Sequence, residues 1–171
     1  LGAVAARTSK IMLGTGVTCP ILRYHPAIIA QAMATLGCLA PDRVFLGVGT
    51  GEALNEYSSV GQWPDYKTRQ AQLGEAIELM RALWKGEPVT HAGTYYQTHR
   101  AKIYSLQRGT IPIYVSSLKP ASAYFAGMYG DGLFTVGGEE AGIYAEMIQR
   151  FEEGAKKAGR DVVRLPKLIE L

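Results

Sequence analysis

A carboxylate follows a glycine-rich turn in the first half of the chain. The segment Val48-Gly-Thr-Gly-Glu52 comes directly after an apolar run at 44–47, and Asn55 follows within one helical turn. Gly47, Gly49 and Gly51 allow a ligand to approach the backbone closely, because no Cβ stands in the way. Their G-x-G-x-G spacing is not the dinucleotide-binding fingerprint. The Glu52 carboxylate is therefore expected to point towards a ligand at the carboxyl end of the strand, the alternative being a tight turn with a helix-capping glutamate.

A second candidate segment is Ser116-Ser-Leu-Lys119, which precedes Pro120 and opens a helix-like stretch. Free N–H groups and the positive end of the helix dipole make such a start a seat for an anion or a phosphate. Capping of the helix by Ser117 explains the same residues without a ligand. The two interpretations stay open at this point.

A third segment, Gly16-Val-Thr-Cys19-Pro20, follows a short apolar run and leads through Leu22 to Tyr24. A glycine before a β-branched residue, with proline close behind, indicates a strained strand end. The alternative is a loop that is merely apolar.

Other polar residues carry weaker signals. We expect His25 to lie in a loop or to cap a helix, and His91 and His99 to be solvated in a hairpin. Asp131 stands between two glycines and is expected to be a turn residue. The sequence contains no metal-ligand spacing, no Gly-x-Ser-x-Gly elbow and no phosphate-binding P-loop, so we expect no metal.

Strand-length apolar runs alternate with helix-length amphipathic stretches, and these elements must position the candidate residues. The pattern predicts strands at 11–15, 44–47, 113–115, 132–135 and from 165, and helices at 26–40, 68–85, 120–129 and 139–158. A polar, glycine-rich loop is expected from the end of the strand at 44–47 to Pro64. A hairpin at 89–97 is expected inside an insertion near 86–110.

Repeated strand–helix units with continuously apolar strands predict a parallel sheet covered by helices. A doubly wound sheet and a barrel both fit, and both bind ligands at the carboxyl ends of the strands. A complete barrel needs about 250 residues, so the 171 residues here are expected to form a little over half of one. The first residues have the pattern of a helix end and the last that of a strand start, which predicts a piece of something longer.

Bulk properties exclude several classes of protein. The longest apolar run is too short to span a membrane, and a net charge of +3 with scattered Lys and Arg argues against nucleic acid. Two cysteines form neither a disulfide framework nor a zinc pattern, which favours a reduced, cytoplasmic protein.

Two adjoining stretches, 23–37 and 41–56, closely resemble the F420-dependent dehydrogenases of the luciferase-like superfamily, which act on glucose-6-phosphate or on secondary alcohols. Weaker resemblance extends through Trp63-Pro64, Leu83-Trp84 and 127–132. The resemblance implies an α/β fold, a luciferase-like (β/α)8 TIM barrel of which this chain holds about half. It also implies that residues 1–171 are the central part of one barrel domain.

The resemblance further implies roles at particular positions. Gly16-Val17 would match a non-prolyl cis peptide under the deazaflavin ring, with Cys19 lining the same loop. Glu52 would be the catalytic carboxyl group near the ring. The residues expected to bind the cofactor are Gly16, Val17, Cys19, Gly49, Glu52, Asn55, Ser116, Ser117, Leu118 and Lys119.

The implied activity is hydride transfer between an alcohol or sugar-type CH–OH substrate and the coenzyme F420. The family's catalytic His would lie upstream of Leu1. Val136 and Glu139 stand where glucose-6-phosphate enzymes place Thr and Lys, which argues against that phosphorylated substrate. The partners implied are a small-molecule substrate and a second copy in a homodimer. Alternatives are an FMN-dependent luciferase-like monooxygenase and a non-catalytic, truncated fragment.

Overall fold

The computed structural model describes residues 1–170 of the chain. These residues form six helices and six strands. In chain order they are α1 (Gly2–Arg7), α2 (Pro26–Leu39), β1 (Leu46–Val48), α3 (Ala53–Val60), α4 (Tyr66–Leu83), β2 (Val89–Ala92), β3 (Gln97–Ala101), β4 (Ile113–Ser116), α5 (Pro120–Tyr129), β5 (Gly132–Val136), α6 (Ala141–Lys157) and β6 (Lys167–Glu170), with a 3₁₀ turn at Val162–Arg164 before the last strand.

The main sheet is parallel and has the order β1-β4-β5-β6. Leu46 pairs with Ile113, Val115 with Leu133, and Leu133 with Lys167. Each new strand therefore adds to the same edge, and the order does not reverse as it does in a doubly wound sheet. This arrangement is part of a (β/α)8 barrel, and the sheet of the described residues is not closed.

The strand predicted at 11–15 is the largest departure from the expected sheet. This segment makes single parallel bridges, Leu13 with Val44 and Thr18 with Val48, outside any named strand. It still extends the sheet on the free side of β1, because the Leu13 amide donates to Arg43 and the Phe45 amide donates to Leu13. Leu13 is buried, whereas Ile11 and Met12 are about half exposed.

Capping residues explain where two helices begin. His25 Nδ1 accepts a hydrogen bond from the Ala27 amide at 3.2 Å, and Pro26 occupies the first turn of α2, where its missing N–H has no partner to lose. The Asp65 carboxylate accepts from the Thr68 amide at 2.7 Å, so α4 starts two residues earlier than predicted. The capping role expected of His25 is confirmed.

Helix α3 is absent from the sequence prediction, which had an irregular excursion there. Ala53, Leu54, Asn55 and Glu56 are compatible with a helix, and Gly61 ends it with a φ of +69°. Most of α3 is exposed, so it lacks the apolar stripe by which amphipathic helices are recognised.

Helices α5 and α6 pack with their backbones in contact. A Cβ at Gly127 would overlap the Phe151 carbonyl, and one at Gly154 would overlap the Tyr124 carbonyl. The absence of side chains at these two positions brings the helices together around Phe151, which is fully buried.

Asp131 organises the end of the sheet opposite the strand carboxyl termini. Its Oδ2 accepts from the Ile113 amide at 2.9 Å, and its Oδ1 lies 2.7 Å from Arg81 Nη2 and 3.3 Å from Arg160 Nη1. The expected structural role is confirmed, and the residue joins α4, β4 and the segment after α6.

The hairpin of β2 and β3 forms a separate antiparallel sheet of two strands. His99 is exposed, as predicted. The prediction for His91 is wrong, because its Nε2 lies 3.2 Å from Glu75 Oε1 and its side chain is largely buried. A hydrogen-bonding partner on α4, far away in sequence, explains the difference.

Candidate functional site

The loop that follows the first bridged segment is fastened to β1 by backbone hydrogen bonds. The Thr18 amide donates to the Gly47 carbonyl at 2.8 Å, and the Gly49 amide donates to Thr18 at 3.0 Å. The peptide bond between Gly16 and Val17 is cis, as the resemblance implied. The loop therefore lies beside the carboxyl end of β1, with a parallel bridge between Thr18 and Val48.

Glu52 follows β1 through the turn Gly49-Thr50-Gly51. It is the residue before the first turn of α3, but its side chain makes no capping hydrogen bond to the helix backbone. Asn55 Nδ2 donates to Glu52 Oε2 at 3.4 Å. The carboxylate is exposed at the mouth of the sheet, which leaves it available to a ligand and weakens the interpretation as a helix cap.

Two adjoining cavities lie at this edge of the sheet. The first, of about 440 Å³, runs from Gly49 to the start of α5 and is bounded by side chains of α4 and α5. The second, of about 450 Å³, lies between the loop at 16–19, the start of α3 and the end of β5. Both are lined by Val17, Gly51, Glu52, Ser116 and Leu118, so these residues form a shared wall.

Most of the residues predicted for the site line one of these cavities. Gly49 and Lys119 line the first, whereas the second is lined by Gly16, Cys19, Asn55 and Val136. Ser117 is the exception, since neither cavity includes it.

Ser117 is buried and turned towards the helix start. Its hydroxyl donates to the Lys119 carbonyl at 2.9 Å and lies 2.7 Å from Ser122 Oγ, and its amide donates to the Phe134 carbonyl. The residue that caps α5 by position is Lys119, and its side chain makes no capping bond. Ser117 thus shapes the turn without capping the helix or facing the cavity.

The start of α5 presents polar groups to the first cavity. Leu118, Lys119, Ala121 and Ser122 line this end of it. Because no side chain caps the helix, its amide dipoles and the Lys119 ammonium favour an anionic group there.

An ion pair between a buried carboxylate and a partly exposed guanidinium group lines the second cavity. Glu56 is only 1% exposed, and its Oε2 accepts from Arg23 Nε at 3.0 Å. Burial of a carboxylate is costly unless a cation and hydrogen bonds compensate it. Burial, together with the adjacent Glu56, also raises the pKa of the Cys19 thiol to about 11, so this thiol is protonated at neutral pH.

Sequence reasoning missed several residues that line the cavities. Tyr66, Gln70 and Leu73 lie on one face of α4, and Phe125 lies on α5. The spacing of four and then three residues between the α4 positions could have revealed a shared face. Arg23 and Glu56 are the outer ends of the two stretches that carry the family resemblance, which implied no role for either.

Within residues 1–170, no group of three or more potential ligand side chains is placed to hold a metal ion. No helix in that range combines the length and apolar character needed to cross a bilayer.

Comparisons with known proteins identify what this chain is similar to. The chain is 49% identical over 174 residues to an F420-dependent glucose-6-phosphate dehydrogenase from Nocardia farcinica, covering 100% of this chain and 52% of that protein. The structure of an F420-dependent secondary alcohol dehydrogenase in complex with an F420-acetone adduct superposes with a TM-score of 0.94 at 41% identity, over 98% of this chain and 51% of the other.

A coenzyme F420-dependent tetrahydromethanopterin reductase from Methanopyrus kandleri superposes with a TM-score of 0.85 at 26% identity, over 98% of this chain and 52% of the other. The chain spans about half the length of the relatives it matches. Residues 1–169 match the model of the luciferase-like monooxygenase family. This chain therefore belongs to the luciferase-like family.

Proposed function

We propose that the protein containing this chain is an F420-dependent dehydrogenase or reductase that transfers a hydride between a CH–OH substrate and the deazaflavin coenzyme. The observation that carries the proposal is the position of Glu52 on the wall shared by the two cavities. The similarity to proteins named as F420-dependent enzymes supports the same coenzyme.

The residues of the first cavity fit the chemical groups of such a coenzyme. A flat ring system needs an apolar wall, which Val17 and Leu118 provide, and a phosphate needs donors, which the uncapped start of α5 and Lys119 provide. The proposed contacts are made by Gly49 and Lys119 of the first cavity and by Val17, Glu52, Ser116 and Leu118 of the shared wall. Gly16, Cys19 and Asn55 are proposed to contact the coenzyme from the adjoining second cavity, with Ser117 shaping the turn beneath.

When bound, the coenzyme supplies the hydride acceptor or donor. This chain orients the coenzyme and supplies a carboxylate, which compensates a change of charge on the ring or, in its protonated form, donates a proton to it. We propose that Glu52 is this catalytic group, held towards the ring by Asn55. The base that receives the proton of the substrate hydroxyl is proposed to be the histidine that the family resemblance places upstream of Leu1.

The second cavity is the proposed substrate side, and its character favours a neutral alcohol. Val136 at the end of β5 is partly exposed and places an apolar side chain there. Glu139 is exposed in the same loop and adds a negative charge near this edge, where a phosphate would be repelled.

The proposal also includes a homodimer in a reducing, cytoplasmic compartment. Cys19 and Cys38 are both free thiols, which supports the assignment of a reducing compartment. Light scattering on the purified protein tests the dimer, and a monomeric mass would contradict it.

The coenzyme assignment is tested by titrating the complete protein separately with F420 and with FMN while following fluorescence. We expect tighter binding of F420, followed by reduction of the bound coenzyme when an alcohol substrate is added. Tighter binding of FMN would overturn the proposal and favour a monooxygenase. Binding of neither would favour a non-catalytic chain.

A further inference from the structure

The hydroxyl group of Tyr96, on the hairpin, reaches the loop that forms the site. It donates a buried hydrogen bond to the Ile21 carbonyl at 3.0 Å, and the residue is 7% exposed. The ring also meets His25 edge-on, with 5.6 Å between ring centroids. Burial raises the pKa of the phenol above its ordinary value, so it remains a hydrogen-bond donor throughout the physiological range. Tyr96 thus contacts residues 21 and 25 of the loop at 16–25.

Glu75 of α4 fixes the position from which Tyr96 reaches the loop. Its Oε1 accepts from the Tyr96 amide at 2.8 Å, and its Oε2 accepts from the Thr94 amide at 3.1 Å. The Tyr95 amide and His91 Nε2 bind the same carboxylate at 3.1 and 3.2 Å. A hairpin turn that would otherwise be mobile is therefore bound to a helix of the barrel.

The restrained loop in turn contacts Gly51, in the turn that precedes Glu52. Cys19 lies two residues before Ile21 and is buried against Gly51, where a Cβ would come within 2.7 Å of Sγ. Gly51 directly precedes Glu52. The contacts therefore form a continuous path from Glu75 through Tyr96, Ile21 and Cys19 to Gly51.

We propose that Tyr96 is a positioning residue, which holds the loop at 16–25 against Gly51 and thereby sets the placement of Glu52. This inference rests on the proposed function for its effect on turnover. The restraint that Tyr96 places on the loop at 16–25 does not depend on that function. Loss of the hydroxyl leaves the buried Ile21 carbonyl unpaired, which favours an opened loop.

The test compares Tyr96→Phe with Tyr95→Phe in the complete protein. Tyr95 is a neighbouring, partly exposed tyrosine of the same turn, which makes it a matched control. Alkylation of Cys19 by iodoacetamide is followed by peptide mass spectrometry, with the exposed Cys38 as the internal reference. The value of kcat and the affinity for F420 are measured on the same samples.

For Tyr96→Phe we expect Cys19 to react about tenfold faster relative to Cys38, and kcat to fall about three- to tenfold at saturating coenzyme, with affinity within about twofold. Tyr95→Phe should match the wild type. An unchanged rate of Cys19 alkylation in Tyr96→Phe would overturn the proposal that Tyr96 restrains the loop. Faster alkylation with wild-type kcat in an active enzyme would overturn the link to Glu52. A wild type that does not bind F420 would contradict the proposed function, and alkylation alone would then decide whether Tyr96 holds the loop.

Discussion

The Cys19 thiol lies against Gly51 so closely that a Cβ built on residue 51 would stand 2.7 Å from Sγ. Gly51 also has a φ of +76°, a conformation that side chains disfavour. Space and backbone geometry therefore both require glycine immediately before Glu52.

Gly51→Ala should lower the affinity for coenzyme and the turnover number by at least about tenfold, because either the turn or Cys19 must move. Gly61→Ala is the matched control, since Gly61 has a φ of +69° but open space around it. It should cost about 1 kcal/mol of stability and leave binding unchanged. Equal effects of the two variants on binding would show that contact with Cys19 is unimportant.

Glu52→Gln keeps the shape of the side chain and removes its charge and its acidity. If Glu52 compensates the charge on the ring or donates a proton to it, kcat of Glu52→Gln should fall by roughly 10²–10⁴, while the affinity for coenzyme changes much less. Steady-state kinetics, coenzyme titration and a melting curve are measured on this variant and on Glu87→Gln, an exposed control. Normal turnover with lowered thermal stability would instead indicate a structural role.

The carboxylate of Glu75 should make the stability of the protein depend on pH. Burial alone would raise its pKa, but the amides of Tyr96 and Tyr95 and the His91 ring outweigh burial, so the pKa lies below its usual 4.5. Because the unfolded chain binds this proton first, the stabilisation is complete above about pH 4.5 and is lost as pH falls through the lower, folded-state value.

Denaturant unfolding between about pH 3 and pH 7 checks this dependence. The difference in stability between wild type and Glu75→Gln should shrink as the pH falls below the usual glutamate range. Glu78→Gln, an exposed position on the same helix, should show no such trend. A pH-independent difference for Glu75→Gln would contradict the predicted role of its charge.

Asp131→Ala should destabilise the fold by about 2 kcal/mol, because it removes two partly buried ion pairs and the acceptor for the Ile113 amide. Arg164→Ala, which removes an exposed pair with Asp161, should cost under about 1 kcal/mol. Denaturant unfolding measures both. Coenzyme affinity should be unchanged in Asp131→Ala, since the residue lies at the opposite end of the sheet, and a large loss of affinity would contradict this placement.

Glucose-6-phosphate should give no turnover with the complete protein, whereas a neutral secondary alcohol should be oxidised. The apolar Val136 and the negative charge of Glu139 give no donors to a phosphate group at this edge. Initial rates of F420 reduction with both substrates decide the matter. Efficient oxidation of glucose-6-phosphate would show that other residues bind its phosphate.

Several elements were predictable because a local signal and the tertiary fold agree. Pro120 at a helix start and the apolar run 113–115 marked α5 and β4 almost to the residue. The candidate residues after these strands then meet because parallel strands bring their carboxyl ends to one edge. The identity of the coenzyme was suggested only by the resemblance across 23–37 and 41–56, since a glycine-rich turn is common to many ligand sites.

Long-range pairing explains what sequence reasoning could not reach. The sequence does not indicate that Glu75 and His91 form a pair, because their contact depends on how the hairpin packs on α4. Segment 11–15 appeared to be a complete strand because periodicity does not reveal how many of its hydrogen bonds find a partner. Ser117 looked like a helix cap, but the turn places Lys119 at that position.

The wall shared by the two cavities couples the binding of a ligand in one cavity to the binding of a ligand in the other. A ligand that moves Glu52 or Leu118 from one side changes the shape and charge that the other side offers. By linkage, the factor by which the first ligand alters the affinity for the second equals the factor by which the second alters the affinity for the first. Inhibitors of the two cavities should therefore be mutually synergistic or mutually antagonistic, and strict independence would require a wall that neither ligand moves.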